Sequence, residues 1–177
     1  PLDALVEKYG ALPQSRVVHI LRQVAASLAE AHQSGLVHRD IKPANLFLGK
    51  RGGLYDVVKV LDFGLVKDVE GGAGVAVSAA NTITGTPLFI SPEAIRAGDT
   101  IDARSDLYSL GATAYCLLTA HMVFDAKSIV EICSQHLSAL PIPPSERLGR
   151  PVDPGLEAIV MRCLEKDPAA RPESAEE

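Results

Sequence analysis

The chain has 177 residues, a net charge of −5 and a hydrophobic fraction of 47%. These values are typical of one globular domain with a substantial core. The sequence contains no basic cluster that could follow a phosphate backbone, so it disfavours nucleic-acid binding. The longest nearly apolar run, 110–118, is too short to cross a bilayer, and the first residues lack the charged start of a signal peptide. We therefore expect no membrane segment in these residues.

Three cysteines, Cys116, Cys133 and Cys163, lie far apart, each within an apolar helical pattern. An odd number at this spacing predicts buried, reduced thiols rather than a disulfide or a metal site. Reduced thiols fit a reducing compartment, so we expect a cytoplasmic location. This leaves open a membrane anchor elsewhere in a longer parent protein.

The start of the chain predicts two helices. Residues 1–9 have apolar side chains at helical spacing and end near Gly10. Pro13 then opens a longer helix to about His32, because apolar residues recur at three- and four-residue steps and form one stripe. Gly35 supplies the conformation that commonly ends a helix.

Two short apolar runs then predict a hairpin. Residues 46–48 form its first strand, the glycine-rich and charged residues 49–53 its turn, and residues 57–61 its second strand. The small, glycine-rich residues 65–81 indicate a loop.

The second half of the chain predicts mainly helices. Residues 102–119 are apolar nearly all round, which is typical of a buried helix. Residues 129–137 and 155–164 predict two further helices, and the proline-rich run 141–144 predicts a rigid connector between them.

The most informative stretch is His38-Arg39-Asp40-Ile41-Lys42-Pro43-Ala44-Asn45, which is followed after the second strand by Asp62-Phe63-Gly64. The first stretch alone could be a solvated surface turn. The two motifs in this order match the catalytic-loop and metal-loop signatures of protein kinases. The chain resembles a serine/threonine protein kinase, most closely the bacterial receptor-kinase type.

The resemblance implies ATP and Mg²⁺ as cofactors and assigns a role to each polar residue. Asp40 would accept or orient the proton of the substrate hydroxyl, and Lys42 would lie near the transferred phosphate. Asn45 and Asp62 offer the hard oxygen ligands that suit Mg²⁺. Phe47 would lie on the floor of the adenine pocket, although a core position is the alternative. A lysine at position 42 favours the serine/threonine class.

The resemblance also identifies residues 65–81 as the start of an activation loop controlled by phosphorylation. Arg39 would be the basic partner of the phosphate. Thr82 is the first candidate acceptor, with Thr84 and Ser78 as alternatives.

Two later motifs match the family's peptide-binding region. Gly85-Thr86-Pro87 corresponds to the substrate-facing loop, and Ser91-Pro92-Glu93 corresponds to Ala-Pro-Glu with serine in place of alanine. The resemblance implies that Thr86 hydrogen-bonds to the catalytic aspartate and lysine and helps to select Ser/Thr acceptors.

Three charged residues are expected to be structural. The resemblance pairs Glu93 with Arg171 as a buried ion pair. Asp106 would accept backbone N–H groups of the catalytic loop, with plain capping of its own helix as the alternative.

The implied fold is mainly α: a kinase-like C-terminal lobe with a small β-hairpin that carries the catalytic and metal loops. Residues 1–177 would be a partial kinase domain, because no glycine-rich phosphate loop or Val-Ala-Ile-Lys strand is present. We expect that the N-terminal lobe is missing, that a last helix after Pro172 is cut short, and that the chain alone is inactive. Its partners would be the missing lobe in cis and protein substrates with Ser/Thr acceptors.

Two other functions stay open. A non-catalytic protein-binding module could use the helical lobe, but it would not need Asp40, Lys42, Asn45 and Asp62 together. A small-molecule phosphotransferase of related fold would not need the peptide-facing motifs at 85–87 and 91–93.

Overall fold

The computed structural model describes residues 1–61, 87–96 and 101–177. Within these ranges, seven α-helices and one two-stranded sheet follow one another along the chain. The prediction of a mainly α fold with a small hairpin is therefore confirmed. The helices are α1 (Leu2–Tyr9), α2 (Gln14–Gln33), α3 (Pro92–Arg96), α4 (Ala103–Thr119), α5 (Ile129–Ser138), α6 (Pro144–Leu148) and α7 (Pro154–Cys163).

Helix α4 forms the centre of the core. Every residue from Ser105 to Thr119 is buried, as the apolar pattern predicts. The side chain of Asp102 accepts a hydrogen bond of 2.8 Å from the Arg104 N–H group and caps the helix. Helices α1, α2, α6 and α7 all pack against α4, so it fixes the positions of the others.

A glycine permits the close packing of α4 against α7. A Cβ atom added at Gly111 would lie 2.6 Å from the Cβ atom of Cys163, closer than two carbon atoms can approach. The two helix backbones can therefore approach at this point only without a side chain at position 111.

Helix α2 packs its predicted stripe, including Val17, Ile20, Val24 and Leu28, into the core. It ends as expected at Gly35, which has a φ of 75°. The Gly35 N–H group donates to the carbonyl oxygen of His32 at 2.9 Å, which satisfies the end of the helix. The chain then turns into the loop that carries the site.

The hairpin is longer than predicted. Strands β1 (Leu46–Arg51) and β2 (Leu54–Val60) pair antiparallel, with Leu46 opposite Val60. The turn is only Gly52-Gly53, both with positive φ, which suits a two-residue hairpin turn. The prediction that residues 49–53 form the turn was wrong, because the glycine and charged residues at its start pair within the ladder.

Two other predicted details differ from the structure. Residues 144–148 form the short helix α6, which begins at Pro144 and ends at Gly149 in the left-handed conformation; the proline-rich run favoured a connector there. Residues 172–177 form bends and a turn rather than a helix.

The cysteines are free thiols. Cys116 and Cys163 are buried as predicted, and burial raises the pKa of these thiols to about 11 and about 12, respectively. Cys133 is only partly buried. In the described ranges, the structure contains no helix with the length and hydropathy needed to cross a bilayer.

Candidate functional site

The carboxylate of Asp106 fixes the backbone of the loop between α2 and β1. Asp106, fully buried near the start of α4, accepts hydrogen bonds from the backbone N–H groups of His38 at 2.7 Å and Arg39 at 2.8 Å. Arg39 has a φ of 67°, a conformation that is strained for a residue with a side chain. The two bonds to Asp106 compensate for this strain, and Nε2 of His32 lies 2.8 Å from the same carboxylate. Capping of α4, the alternative role for Asp106, belongs to Asp102.

The loop is also joined to the end of strand β2. Nδ1 of His38 accepts a hydrogen bond from the Asp40 N–H group at 3.3 Å, so Nε2 carries the proton and donates to the Leu61 carbonyl at 2.9 Å. The Leu61 N–H group donates to the carbonyl oxygen of Asn45 at 2.9 Å. Both backbone groups of Leu61, the residue before Asp62, are thereby fixed to the loop.

Three polar side chains converge in this loop. Nζ of Lys42 lies 2.7 Å from Oδ2 of Asp40, and Nδ2 of Asn45 lies 2.9 Å from the same oxygen. Nδ2 of Asn45 also donates to the Asp40 backbone carbonyl at 2.8 Å. The Asp40 side chain is 57% exposed and that of Lys42 20%. The carboxylate is therefore accessible from solvent while a cation and an amide fix its direction.

The hydrogen bonds of Asn45 determine how its amide is oriented. Both partners of Nδ2 are acceptors, so the NH₂ group must point toward Asp40. Oδ1 has no hydrogen-bond partner within the described part of the chain and remains a free oxygen ligand. This orientation fits a hard cation such as Mg²⁺. No group of three or more His, Cys, Asp or Glu side chains that could hold a metal ion occurs among the described residues.

The chain's similarity to known proteins agrees with this geometry. Residues 1–177 match the family model of the protein kinase domain. The chain belongs to the protein kinase family. This family match, together with similarity to the two serine/threonine-protein kinases described next, confirms the resemblance drawn from the two loop motifs.

Two bacterial proteins are similar to nearly the whole of this kinase chain. It is 40% identical over 179 residues to serine/threonine-protein kinase pkn3 of Myxococcus xanthus, across 99% of this chain and 32% of the relative. It is 38% identical over 177 residues to serine/threonine-protein kinase PknB of Mycobacterium leprae, across 99% of this chain and 27% of the relative. The chain thus spans about a third or less of the length of these relatives.

The fold of the kinase chain also matches solved structures. The crystal structure of Rad53 1–466 in complex with AMP-PNP superposes with a TM-score of 0.73, at 23% identity, over 99% of this chain and 41% of that chain. At this identity the likeness concerns the fold, and it confirms a protein-kinase-like architecture.

Several residues expected at the kinase site lie outside the described residues. These are Asp62, Ser78, Thr82, Thr84 and Thr86. Among the described ones, the Arg39 side chain is exposed.

Phe47 lies on strand β1, next to the loop. Phe47 is 37% exposed in this chain. The hairpin therefore presents an aromatic surface beside the polar loop.

The Glu93–Arg171 pair lies beneath the 87–96 segment. Two parallel bonds join the side chains, from Nη1 to Oε1 at 2.7 Å and from Nη2 to Oε2 at 2.8 Å. Ser105 adds a hydrogen bond to Oε1 at 2.6 Å. Arg171 is 0% exposed and Glu93 4%, and the guanidinium also donates to backbone carbonyls of residues 104, 165 and 166.

These contacts determine the ionisation of Glu93. Burial by itself raises the pKa of this carboxyl, but hydrogen bonds from Arg171 and Ser105 more than offset burial and lower the pKa to about 2. The pair is therefore ionised at neutral pH, and it joins α3 to the C-terminal residues of the chain.

Sequence reasoning missed some supporting residues. His32 has no motif that singles it out, yet it contacts Asp106 across 74 positions of sequence. Ser105 was not singled out, although it bonds to Glu93. A polar residue on a helix face that is otherwise buried is the one signal that could have identified Ser105.

Proposed function

We propose that the chain is the C-terminal lobe of a serine/threonine protein kinase that transfers the γ-phosphate of ATP to Ser or Thr residues of protein substrates. The observation that carries this proposal is the convergence of Lys42 and Asn45 on the exposed carboxylate of Asp40. The match of the whole chain to the kinase family supports it.

Asp40 acts as the catalytic base in this proposal. Its carboxylate is exposed to an incoming hydroxyl, and its direction is fixed by two hydrogen bonds to one oxygen, which leaves the other oxygen to accept the substrate proton. The ammonium of Lys42, 2.7 Å away, supplies positive charge where the phosphate oxygens gain negative charge.

Asn45 and Asp62 hold Mg²⁺ in this proposal. The amide of Asn45 turns its oxygen away from Asp40, and the fixed backbone of Leu61 supports a ligand at the next residue. When bound, Mg²⁺ neutralises charge on the phosphates of ATP. The exposed ring of Phe47 offers an apolar surface for the adenine.

The remaining site residues act on the protein substrate or on regulation. Thr86 is proposed to contribute to the choice of Ser/Thr acceptors. Thr82, with Thr84 or Ser78 as alternatives, accepts a regulatory phosphate that pairs with the exposed Arg39.

We further propose that the 177-residue chain is silent by itself and that a parent protein with both lobes is active. The chain contains no glycine-rich loop to cover the ATP phosphates. The free thiols fit a cytoplasmic kinase domain.

The test is transfer of labelled phosphate from Mg²⁺-ATP to a Ser/Thr-containing protein, by the chain and by a kinase domain with both lobes. Asp62→Asn removes one proposed metal ligand and should abolish transfer by the two-lobed protein. Asp125→Asn makes the same chemical change at an exposed position away from the loop and should leave transfer unchanged.

The outcome also separates the proposed kinase from a protein-binding module. A two-lobed protein that is folded but transfers no phosphate would contradict the kinase proposal and favour the binding module. Equal activity of Asp62→Asn and Asp125→Asn would contradict the metal assignment alone.

A further inference from the structure

A polar cluster outside the catalytic loop lies where α5 meets α4. Tyr108 and His136 are both fully buried, and the Tyr108 hydroxyl lies 2.8 Å from Nδ1 of His136. The imidazole contacts the Phe124 ring edge-on at a centroid distance of 5.0 Å. The Nζ atom of Lys166 lies 4.5 Å from the centroid of the same phenyl ring. None of these groups has a role in the chemistry proposed for the loop.

The direction of the hydrogen bonds in this cluster follows from the donors. Nζ of Lys166 lies 3.4 Å from the Tyr108 hydroxyl, and an ammonium can only donate. The hydroxyl therefore accepts from Lys166 and donates its own proton to Nδ1 of His136. Nδ1 is then an acceptor, and Nε2 carries the imidazole proton.

The ionisation of the two rings agrees with this order. Burial, and to a lesser degree the charge of Lys166, lowers the pKa of His136 to about 4, so the imidazole is neutral at neutral pH. Burial raises the pKa of Tyr108 well above its ordinary value, so its hydroxyl keeps its proton. We refer to these three side chains, Lys166, Tyr108 and His136, as the buried relay.

The relay ends at the turn 87–89. Nε2 of His136 is buried and has no hydrogen-bond partner of normal geometry among the described residues. Helix α5, which carries His136, packs against this turn, and the nearby backbone of Leu88 favours a proton on the imidazole. A buried donor without a partner is unfavourable, so the relay favours the position of the turn that brings the Leu88 carbonyl toward Nε2.

Two other contacts hold the same segment and adjoin the relay. The Ser109 hydroxyl donates to the Phe89 carbonyl at 2.7 Å. The guanidinium of Arg171, which pairs with Glu93, lies 4.9 Å from the centroid of the Tyr108 ring. Tyr108 therefore contacts both Arg171, which pairs with Glu93, and His136, which lies beside Leu88.

We infer that Lys166, Tyr108 and His136 fix the position of the 87–96 segment, and that His136 is thereby a positioning residue for the protein substrate. The part of this inference that concerns the substrate rests on the proposed kinase function, because it takes 87–96 as part of the peptide-binding region. The structural part does not depend on any activity.

Amide hydrogen exchange of the chain tests the structural part. The Ile90 and Ile95 N–H groups are hydrogen-bonded within the segment, so their exchange reports its opening. Tyr108→Phe removes the central hydroxyl and keeps the ring, and it should make both amides exchange about tenfold faster. Tyr115→Phe is the matched control, because Tyr115 is equally buried on α4 and its hydroxyl accepts from Nε of Arg147 instead.

Two substitutions at His136 separate the relay from simple packing. Glutamine can place an NH₂ group where Nε2 lies and donate to Leu88, whereas asparagine reaches only the position of Nδ1. His136→Gln should therefore protect Ile90 and Ile95 better than His136→Asn. Equal exchange rates of Ile90 and Ile95 in Tyr108→Phe and Tyr115→Phe would contradict a role of the relay in fixing the segment. Equal exchange rates in the two His136 variants would contradict it as well.

Steady-state kinetics of a two-lobed kinase domain test the part that concerns the substrate. Tyr108→Phe should raise KM for the protein substrate about fivefold and leave KM for ATP unchanged. If Tyr108→Phe speeds exchange at Ile90 and Ile95 but leaves KM for the protein substrate unchanged, the relay fixes the segment but does not position the substrate. A wild-type protein that transfers no phosphate but shows the predicted exchange pattern would contradict the kinase proposal and support the relay.

Discussion

Two carboxylate–cation pairs of equal length lie in opposite environments in the described part of the chain. Asp40 and Lys42 are 2.7 Å apart in the loop, and Glu93 and Arg171 are 2.7 Å apart in the core. The first carboxylate is more than half exposed, and the second is almost completely buried. An exposed pair contributes at most about 1 kcal/mol to stability, whereas a buried pair that loses one partner destabilises a protein by about 3–5 kcal/mol.

The difference in burial indicates different roles for the two pairs, one in the proposed chemistry and one in the stability of the fold. In the proposed kinase, the exposed pair offers an oxygen to the substrate proton, and its substitution should change the free energy of unfolding little. The buried pair has every polar group satisfied, by Ser105 and by backbone carbonyls. We expect changes in the first pair to affect activity and changes in the second to affect the folded state.

Glu93→Gln should have the largest effect on stability. It leaves the Arg171 guanidinium buried without its carboxylate, so the free energy of unfolding should fall by about 3–5 kcal/mol in urea unfolding. A loss below about 1 kcal/mol would mean that the buried pair behaves like the exposed one, and the comparison would fail.

The pH dependence of stability should contain two separate contributions. The folded chain holds the pKa of His136 at about 4, below its ordinary 6.5, and that of Glu93 at about 2, below its ordinary 4.5. In each interval the unfolded chain binds a proton that the folded chain does not, so stability falls as the pH decreases. His136 acts between pH 6.5 and 4, and Glu93 acts between pH 4.5 and 2.

Variants isolate these contributions in a series of thermal unfolding curves at different pH. His136→Phe should flatten the dependence of stability on pH in the upper interval, a change of a few kcal/mol at most across it. Glu93→Gln should reduce the slope in the lower interval, where the lowered pKa of Asp56 also contributes. An unchanged upper slope in His136→Phe would show that other groups cause it.

Gly111→Ala tests the close packing of α4 against α7. The added methyl group would meet Cys163 at 2.6 Å, so we expect a loss of about 1–3 kcal/mol in chemical unfolding. Adding Cys163→Gly removes the clashing atom and should recover part of the loss. No recovery in the double variant would contradict close helix packing as the cause.

Asp56→Asn should have the smallest effect. Asp56 pairs with Arg16 at 2.7 Å where both side chains are partly exposed, so the change in unfolding free energy should stay below about 1 kcal/mol. The Arg16 hydrogen bond lowers the pKa of Asp56, and sodium chloride should screen what remains of the pair. A loss comparable to that of Glu93→Gln would show that burial does not decide the difference.

Much of the fold could be predicted from local sequence. Helices α2, α4 and α7 follow from apolar periodicity, because each packs one face or its whole surface into the core. The loop residues Asp40, Lys42 and Asn45 follow from a motif, because the chemistry requires these side chains at this spacing.

What sequence did not predict depends on contacts between distant positions. The relay joins residues on α4, on α5 and after α7, and no local pattern brings Tyr108, His136 and Lys166 together. The close approach at Gly111 likewise depends on α7. Helix α6 was missed because its prolines favour a connector, although Pro144 is suited to a first helical position.

The most direct test of the central claim is phosphate transfer by Asp40→Asn in a kinase domain with both lobes. We predict that transfer falls by about two to four orders of magnitude, because the base is lost, while the free energy of unfolding changes by less than about 1 kcal/mol. Transfer at the wild-type rate by a folded Asp40→Asn protein would contradict the assignment of the exposed pair to the chemistry.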